Sequence, residues 1–347
     1  MNVTILGGGA WGTAIAIHLA KYQSQIPNSK ITLWVRDPSK AKEIIQTRKN
    51  VQYLPSIELP PNLNITSDWD TAVAQAMTSK DLIVIATPLS ALAEIAEQLC
   101  QRTLENNQVI QHWLWLCKGI EANSGKLPHE IVEKVLETQG QTDAIHYGVL
   151  SGPSFAKEVA QGLPCALTVA SKFNDLNEMT QTLFHQKSMR IYVTDDVTGV
   201  ELGGAIKNVL AIATGIADGL ELGLNARAAL ITRGLNEMSR IGIAMGAKME
   251  TFLGLAGLGD LILTATGELS RNRRVGLELA KNHSLEEILN QLGHVAEGVR
   301  CAQAIERLAQ KFHVETPIIS AVCDILFRDV KALDVVNKMM SRDPKSK

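Results

Sequence analysis

Three stretches in the second half of this 347-residue chain carry polar residues that could do chemistry. The first is Glu201-Leu202-Gly203-Gly204-Ala205-Ile206-Lys207-Asn208-Val209-Leu210-Ala211. At helical spacing Gly203, Gly204, Lys207, Ala211 and Thr214 share one face, small except for a single lysine. Each glycine inside a helix is less stable than alanine by roughly 1 kcal/mol, so the pair implies that something approaches the backbone closely. A lysine desolvated on such a face holds its proton less tightly and can pass it to a developing alkoxide. The blander reading, a lysine running its stem out to solvent, does not account for the paired glycines. The second stretch, Gly254 to Thr264 (GLAGLGDLILT), sets Asp260 and Thr264 four residues apart on one face. A carboxylate in so apolar a run needs a partner. Lys207 or a substrate hydroxyl would serve, or Asp260 caps the helix after the glycine turn; spacing leaves both open. The third, Ser270-Arg271-Asn272-Arg273-Arg274, can bind a phosphate through paired, charge-assisted hydrogen bonds, or is a solvated basic helix start.

At the other end of the chain Gly7-Gly8-Gly9-Ala10-Trp11-Gly12 reads GxGxxG. The pattern is weak alone, but here it follows a strand and opens a helix at the start of a βαβ unit. Gly7 permits the tight turn, Gly9 the approach of a pyrophosphate, and Gly12 close helix–strand packing. The helix N-terminus, from Ala10 on, supplies N–H groups and partial positive charge to that pyrophosphate. The second strand ends Trp34-Val35-Arg36-Asp37, where an acid favours a ribose 2′-hydroxyl and arginine a 2′-phosphate. Arg36 therefore points to NADPH, with NADH tolerated; Asp37 bonds a hydroxyl or caps the helix beginning near Pro38. Thr87-Pro88 and Lys118-Gly119 also follow strands, at the edge where open α/β sheets bind ligands.

These residues need elements to position them. Short apolar runs at Val3–Leu6, Ile31–Val35, Leu82–Ala86, Val109–Leu116, Tyr147–Leu150, Ala166–Ala170 and Arg190–Val193 read as strands separated by helices, so as a mainly parallel, doubly wound sheet. Beyond Asp195-Asp196 the chain reads as helices alone: Val197–Gly219, Ala226–Met245, Thr251–Ala265, Arg273–Asn282, Leu285–Gln291, Val299–Phe312 and Pro317–Phe327. The expected fold is an α/β Rossmann domain over residues 1–195, followed by an all-α substrate domain over 196–340. Hydrophobic residues at 46% and charged residues at 20% suit a globular enzyme. A net charge of −2 argues against a nucleic-acid partner. Five widely spaced cysteines without CxxC read as reduced thiols, and the apolar start has no basic leader, so a cytoplasmic protein with no membrane insertion is expected. The eight histidines show no HxxxH and no evident pairing with acids, so neither a histidine relay nor a metal site is expected. A homodimer is the default oligomer.

Together the residues resemble the bacterial type of NAD(P)-dependent glycerol-3-phosphate dehydrogenase. The resemblance is carried by GGGAWGTAIA at the N-terminus, LCKGIE around Lys118, LSGPSFAKEVAQGLP from Leu150, GVELGGAIKNVLAIATGIADG from Gly199, NARAALITRGLNEM from Asn225, TFLGLAGLGDLILT from Thr251 and SRNRR from Ser270. It covers nearly the whole chain. It implies reduction of dihydroxyacetone phosphate to sn-glycerol 3-phosphate, a precursor of phospholipids. It also implies Lys207 as the catalytic proton donor and acceptor. Lys118, Gly152, Ser154, Asp260, Ser270, Arg271 and Asn272 are then substrate contacts. Trp11, Arg36, Ala156, Val295 and Glu297 are cofactor contacts, as are Lys118 and Arg271. Two rivals stand beside this reading. One is a dehydrogenase of the same plan acting on a hydroxy or sugar acid, against which the SRNRR cluster counts. The other is a non-catalytic nicotinamide sensor, which would have no reason to keep Lys207 on so unfavourable a helix face.

Overall fold

The computed structural model describes residues 1–25, 29–106, 110–292 and 296–341. They form two compact units. Met1–Lys118 joins Leu127–Val200 in the first, and the short segment Gly119–Lys126 joins the chain from Glu201 in the second.

The first unit is built on eight strands: β1 (Asn2–Leu6), β2 (Lys30–Trp34), β3 (Asn64–Thr66), β4 (Leu82–Ile85), β5 (His112–Trp115), β6 (His146–Ser151), β7 (Cys165–Ala170) and β8 (Met189–Thr194). Their order in the sheet is β3-β2-β1-β4-β5-β6-β7-β8. All neighbours are parallel except β6 and β7. The helices are α1 (Ala10–Lys21), α2 (Pro38–Thr47), α3 (Trp69–Ala74), α4 (Leu92–Asn106), α5 (Pro128–Gln139), α6 (Ala156–Gln161) and α7 (Asn174–Phe184). β4 shows why. Its Leu-Ile-Val-Ile is buried along its whole length, so both faces of the sheet need cover, which crossover helices supply. The strand order reverses direction between β1 and β4, the switch point at which such sheets bind dinucleotides.

One strand, β3, was not expected. Its Asn-Ile-Thr is too short and polar to stand out; its strand character comes from the ladder to β2, which local sequence does not display. β5 begins at His112, and Val109, expected to open it, lies outside the described residues.

The second unit holds α8 (Val197–Gly219), α9 (Gly223–Ala244), α10 (Met249–Leu253), α11 (Asp260–Thr266), α12 (Arg271–Ala280), α13 (Leu285–Leu292), α14 (Glu297–Lys311), α15 (Pro317–Phe327) and α16 (Ala332–Met340). Among its described residues there is no strand, as expected. The single helix expected over Thr251–Ala265 is instead broken. α10 ends where Gly254 turns extended (φ −89°, ψ −162°), a π-helical turn occupies Leu255–Gly259, and α11 follows. A Cβ on Gly257 would lie 2.2 Å from the Phe252 carbonyl oxygen, so the glycines allow a fold-back that a regular helix would forbid. α16 was not expected either. α8 is long and apolar enough to cross a membrane, but its most apolar stretch is almost entirely buried inside the protein.

Candidate active site

The loop between β1 and α1 has the geometry its glycines predict. Gly7 has φ +128°, and a Cβ there would sit 2.8 Å from the Ala86 carbonyl. A Cβ on Gly12 would sit 2.1 Å from the Gly7 oxygen, so helix and strand touch through backbone. Gly9 faces open space, with nothing within 4 Å of its Cβ position. α1 has no side-chain cap, so Ala10, half-buried Trp11 and Gly12 begin a helix whose first N–H groups are available to an anion. Asn50, which sequence reasoning missed, braces the loop: its Nδ2 donates to the Gly8 carbonyl at 2.9 Å and to Thr13 Oγ1 at 2.8 Å. It lies in an irregular stretch after α2, without any motif to mark it.

Register carries the rest of the edge. Leu6 is level with Trp34 and Ile85, Ile85 with Trp115, and Trp115 with Val149. Gly7, Arg36, Thr87, Lys118 and Gly152 therefore all follow strands at one side of the sheet. Thr87 Oγ1 is buried with no hydrogen-bond partner among the described residues, which a bound ligand would relieve. With the open Gly9 and the uncapped helix, this edge fits a dinucleotide. Arg36 is exposed. Asp37 caps α2: its Oδ1 accepts from Ser39 N at 2.9 Å, Ser39 Oγ at 2.6 Å and Lys40 N at 3.4 Å. The Ser39 hydroxyl and the backbone N–H groups hold its carboxyl below the usual range. Lys118 Nζ donates to the Gly152 carbonyl at 3.3 Å, and Ser154 Oγ to the same oxygen at 3.2 Å, so three expected contacts gather at one point. Gly152 has φ +133°, and half-buried Ala156 opens α6 just beyond.

In the second unit Lys207 and Asp260 meet. Nζ lies 2.6 Å from Oδ1 and 2.9 Å from Thr264 Oγ1, and Thr264 in turn donates to the Asp260 carbonyl at 2.7 Å. Lys207 is 7% exposed and Asp260 1%. The close approach implied by Gly203 is real: a Cβ there would stand 2.5 Å from the carbonyl oxygen of Ala256, in the π-helical turn. Asp260 is not a cap. It is the first residue of α11, which has no side-chain cap, and its carboxylate goes to Lys207. A cationic donor fixed by a carboxylate and a hydroxyl is suited to stabilise and protonate a developing oxyanion.

Ser270 caps α12, accepting from Arg273 N at 3.2 Å, and Arg271 beside it is exposed. Asn272 is buried and bonded to protein: its Nδ2 donates to Asn208 Oδ1 at 2.8 Å, and its Oδ1 accepts from Gly298 N at 3.0 Å. Sequence reasoning missed Asn208 and also Asp218. Asp218 Oδ1 accepts from Arg227 Nε at 2.7 Å and Oδ2 from Arg273 Nε at 2.8 Å, so the carboxylate ties the start of α12 to α8 and α9. Neither leaves a local signal, because α8 already carries Glu201 and Lys207 among its apolar residues. Glu297 is half-buried at the start of α14; Val295 lies outside the described residues.

The expectation that histidines lack acid partners is corrected. His112 and His146 both bond Asp175, and His283 bonds Glu278 at 2.8 Å. Asp175 is 63 and 29 residues away from its two partners, so only strand pairing brings them together.

A Rossmann-type sheet with a glycine loop at its switch point, together in one chain with an all-helical unit that holds a buried lysine–aspartate pair, defines a dinucleotide-dependent dehydrogenase. The chain belongs to the NAD-dependent glycerol-3-phosphate dehydrogenase family: the N-terminal family model matches residues 2–177 and the C-terminal one residues 196–337. It is 54% identical over 344 residues to the glycerol-3-phosphate dehydrogenase (NAD(P)+) of Cupriavidus pinatubonensis, across 99% of this chain and 96% of that protein. The protein of the same name from Polynucleobacter asymbioticus is 54% identical over 345 residues, covering 99% of each. The crystal structure of glycerol-3-phosphate dehydrogenase from Coxiella burnetii superposes with a TM-score of 0.88 at 37% identity, across 98% of this chain and 99% of that one.

Proposed function

We propose that this chain catalyses the reversible, NAD(P)H-dependent reduction of dihydroxyacetone phosphate to sn-glycerol 3-phosphate, supplying the latter for phospholipid synthesis. Family membership supports the reaction, and the buried Lys207–Asp260–Thr264 group is the observation that carries the mechanism. The bound cofactor supplies the hydride. Lys207 stabilises the negative charge that builds on the ketone oxygen and gives that oxygen its proton. Asp260 and Thr264 hold the ammonium in place. Arg271 binds the substrate phosphate and also meets the cofactor, with Ser270 and Asn272 contributing to the pocket. Asn272 acts through whatever capacity its bonds to Asn208 and Gly298 leave. Lys118, Gly152 and Ser154 complete the substrate contacts.

Gly7, Gly9, Ala10, Trp11, Gly12, Arg36, Lys118, Ala156, Val295 and Glu297 are assigned to the dinucleotide, residues 1–195 to its binding and 196–340 to the substrate. NADPH is the favoured form: Asp37 Oδ1 is engaged in capping, which leaves exposed Arg36 as the group suited to meet a 2′-phosphate. We place the protein in the cytoplasm, on its five free thiols, without membrane insertion and as a homodimer. The deciding experiment is spectrophotometric: NADPH oxidation with dihydroxyacetone phosphate, repeated with unphosphorylated dihydroxyacetone and a hydroxy-acid oxidation couple. Turnover confined to the phosphorylated ketone supports the reading; turnover only of the acid, or of nothing, overturns it.

A further inference from the structure

At the opposite side of the sheet from the glycine loop, three side chains with metal-ligand chemistry converge. His112 and His146 open β5 and β6 and stand directly opposite each other in the parallel register. Asp175 sits in the first turn of α7. His112 Nε2 is 3.0 Å from Asp175 Oδ2, His146 Nδ1 is 2.7 Å from the same oxygen, and one ligand atom from each residue lies within 4.8 Å of the others. We propose that these three side chains form a site for one divalent transition-metal ion of the Zn2+ class, separate from the hydride chemistry.

Two imidazoles and one carboxylate are a donor set of intermediate softness, which suits Zn2+ and its neighbours better than Mg2+ or Ca2+. Around a tetrahedral Zn2+, with bonds of ~2.0–2.2 Å, ligand atoms stand about 3.3 Å apart. The two His–Asp separations of 3.0 and 2.7 Å need to widen by only a few tenths of an ångström, and the two imidazole nitrogens, which lie within 4.8 Å of each other, must come to the same spacing. Two of the ligands are held in place. His112 is buried on its strand, and His146 stacks on Phe173 with centroids 4.4 Å apart and planes 12° from parallel. The third side is open: the His146 and Asp175 side chains are 23% and 49% exposed, giving an entry path and room for a water as fourth ligand.

The same geometry limits affinity. Asp175 now takes the His112 hydrogen bond, so binding an ion at Nε2 moves the imidazole proton to Nδ1. That atom is buried without a hydrogen-bond partner among the described residues. Loss of such an outer partner weakens metal sites by roughly 10–100-fold. The ion is therefore held reversibly, in the micromolar range, and ties β5, β6 and α7 together when bound.

The test uses the full chain stripped with EDTA. Zn2+ is added and followed by calorimetry and thermal unfolding, and Co2+ serves as a spectroscopic substitute. Saturable single-site binding in the micromolar range is expected, with a raised Tm and a Co2+ spectrum free of thiolate charge-transfer absorption. Asp175→Asn changes a half-exposed side chain, and it should weaken binding at least tenfold while the metal-free Tm stays near wild type. His146→Ala should do the same, Cys165→Ser should leave binding unchanged, and ketone reduction should be unaltered in all three. Wild-type affinity in the Asp175 and His146 variants, a thiolate band with Co2+, or no saturation short of millimolar Zn2+ would overturn the proposal.

Discussion

Lys207 and Asp260, 53 residues apart on two helices, form a buried ion pair with Nζ 2.6 Å from Oδ1. Burial makes the pair a matter of stability as well as chemistry, because removing one partner strands the other charge without water.

Lys207→Met should lower kcat by roughly 10²–10⁴, the usual contribution of a general acid. It should also destabilise the fold by about 3–5 kcal/mol, the usual loss when one member of a buried ion pair is removed. The double variant Lys207→Met/Asp260→Asn should recover much of the lost Tm and none of the activity. Recovery of both together would assign the lysine a purely structural role. NADPH affinity, measured by fluorescence on each folded variant, should stay within a few-fold of wild type.

Arg271 is, with Arg274, an exposed member of a basic cluster in which Arg273 is paired with Asp218. Arg271→Ala should weaken binding of the phosphorylated ketone by about 1.5–3 kcal/mol, the range for hydrogen bonds to charged groups. Steady-state kinetics with dihydroxyacetone, lacking the phosphate, should show a much smaller change. Equal losses for both ketones would remove the phosphate role.

Arg36→Ala should raise KM for NADPH more than for NADH, with kcat for each nearly constant. Identical changes in the two would mean that Arg36 only stacks or only faces solvent. Asp37→Ala should loosen α2, because it removes the side-chain cap, and lower the Tm slightly. Its effect on cofactor preference should be small.

Acid should weaken the first unit through His18. Burial is the main reason its pKa falls from 6.5 to about 4, against the opposing bond from Nε2 to the Phe184 carbonyl at 3.0 Å. Above pH 6.5 folded and unfolded chains both carry a neutral imidazole. Between 6.5 and about 4 the unfolded chain takes up a proton that the folded chain refuses, so stability drops as pH falls through that window. The full loss approaches about 3 kcal/mol, at ~1.4 kcal/mol per pKa unit. Urea unfolding at pH 7.5 and at pH 4.5 should show this loss in the wild type and a smaller one in His18→Gln. Equal pH dependence in the two would discount His18.

Much of the site was legible because its signals are local. Gly7, Gly9 and Gly12 announce a turn, an approach and a packing contact within six residues. Gly203 and Gly204 announce a helix face that another backbone must touch. Chemistry whose parts sit within one or two turns of chain leaves a pattern that spacing reveals. Asn50, Asn208 and Asp218 leave none: each is a single polar residue whose partners come from other elements. β3 escaped for the same reason, since a three-residue edge strand owes its conformation to its neighbour.

By itself, then, the sequence determined a parallel α/β unit followed by helices, a dinucleotide loop, and Lys207 as a lysine of unusual setting. Those follow from periodicity and from glycine's lack of a Cβ, properties each segment carries alone. Only the tertiary structure decided that Asp260 faces Lys207 instead of capping its own helix. The break at Gly254 and the π-helical turn rotate the start of α11, and no spacing rule encodes that rotation. Likewise only strand register set His112 opposite His146 and let Asp175 reach both. Contacts between residues tens of positions apart depend on how whole elements pack, and packing is a property of the assembled chain.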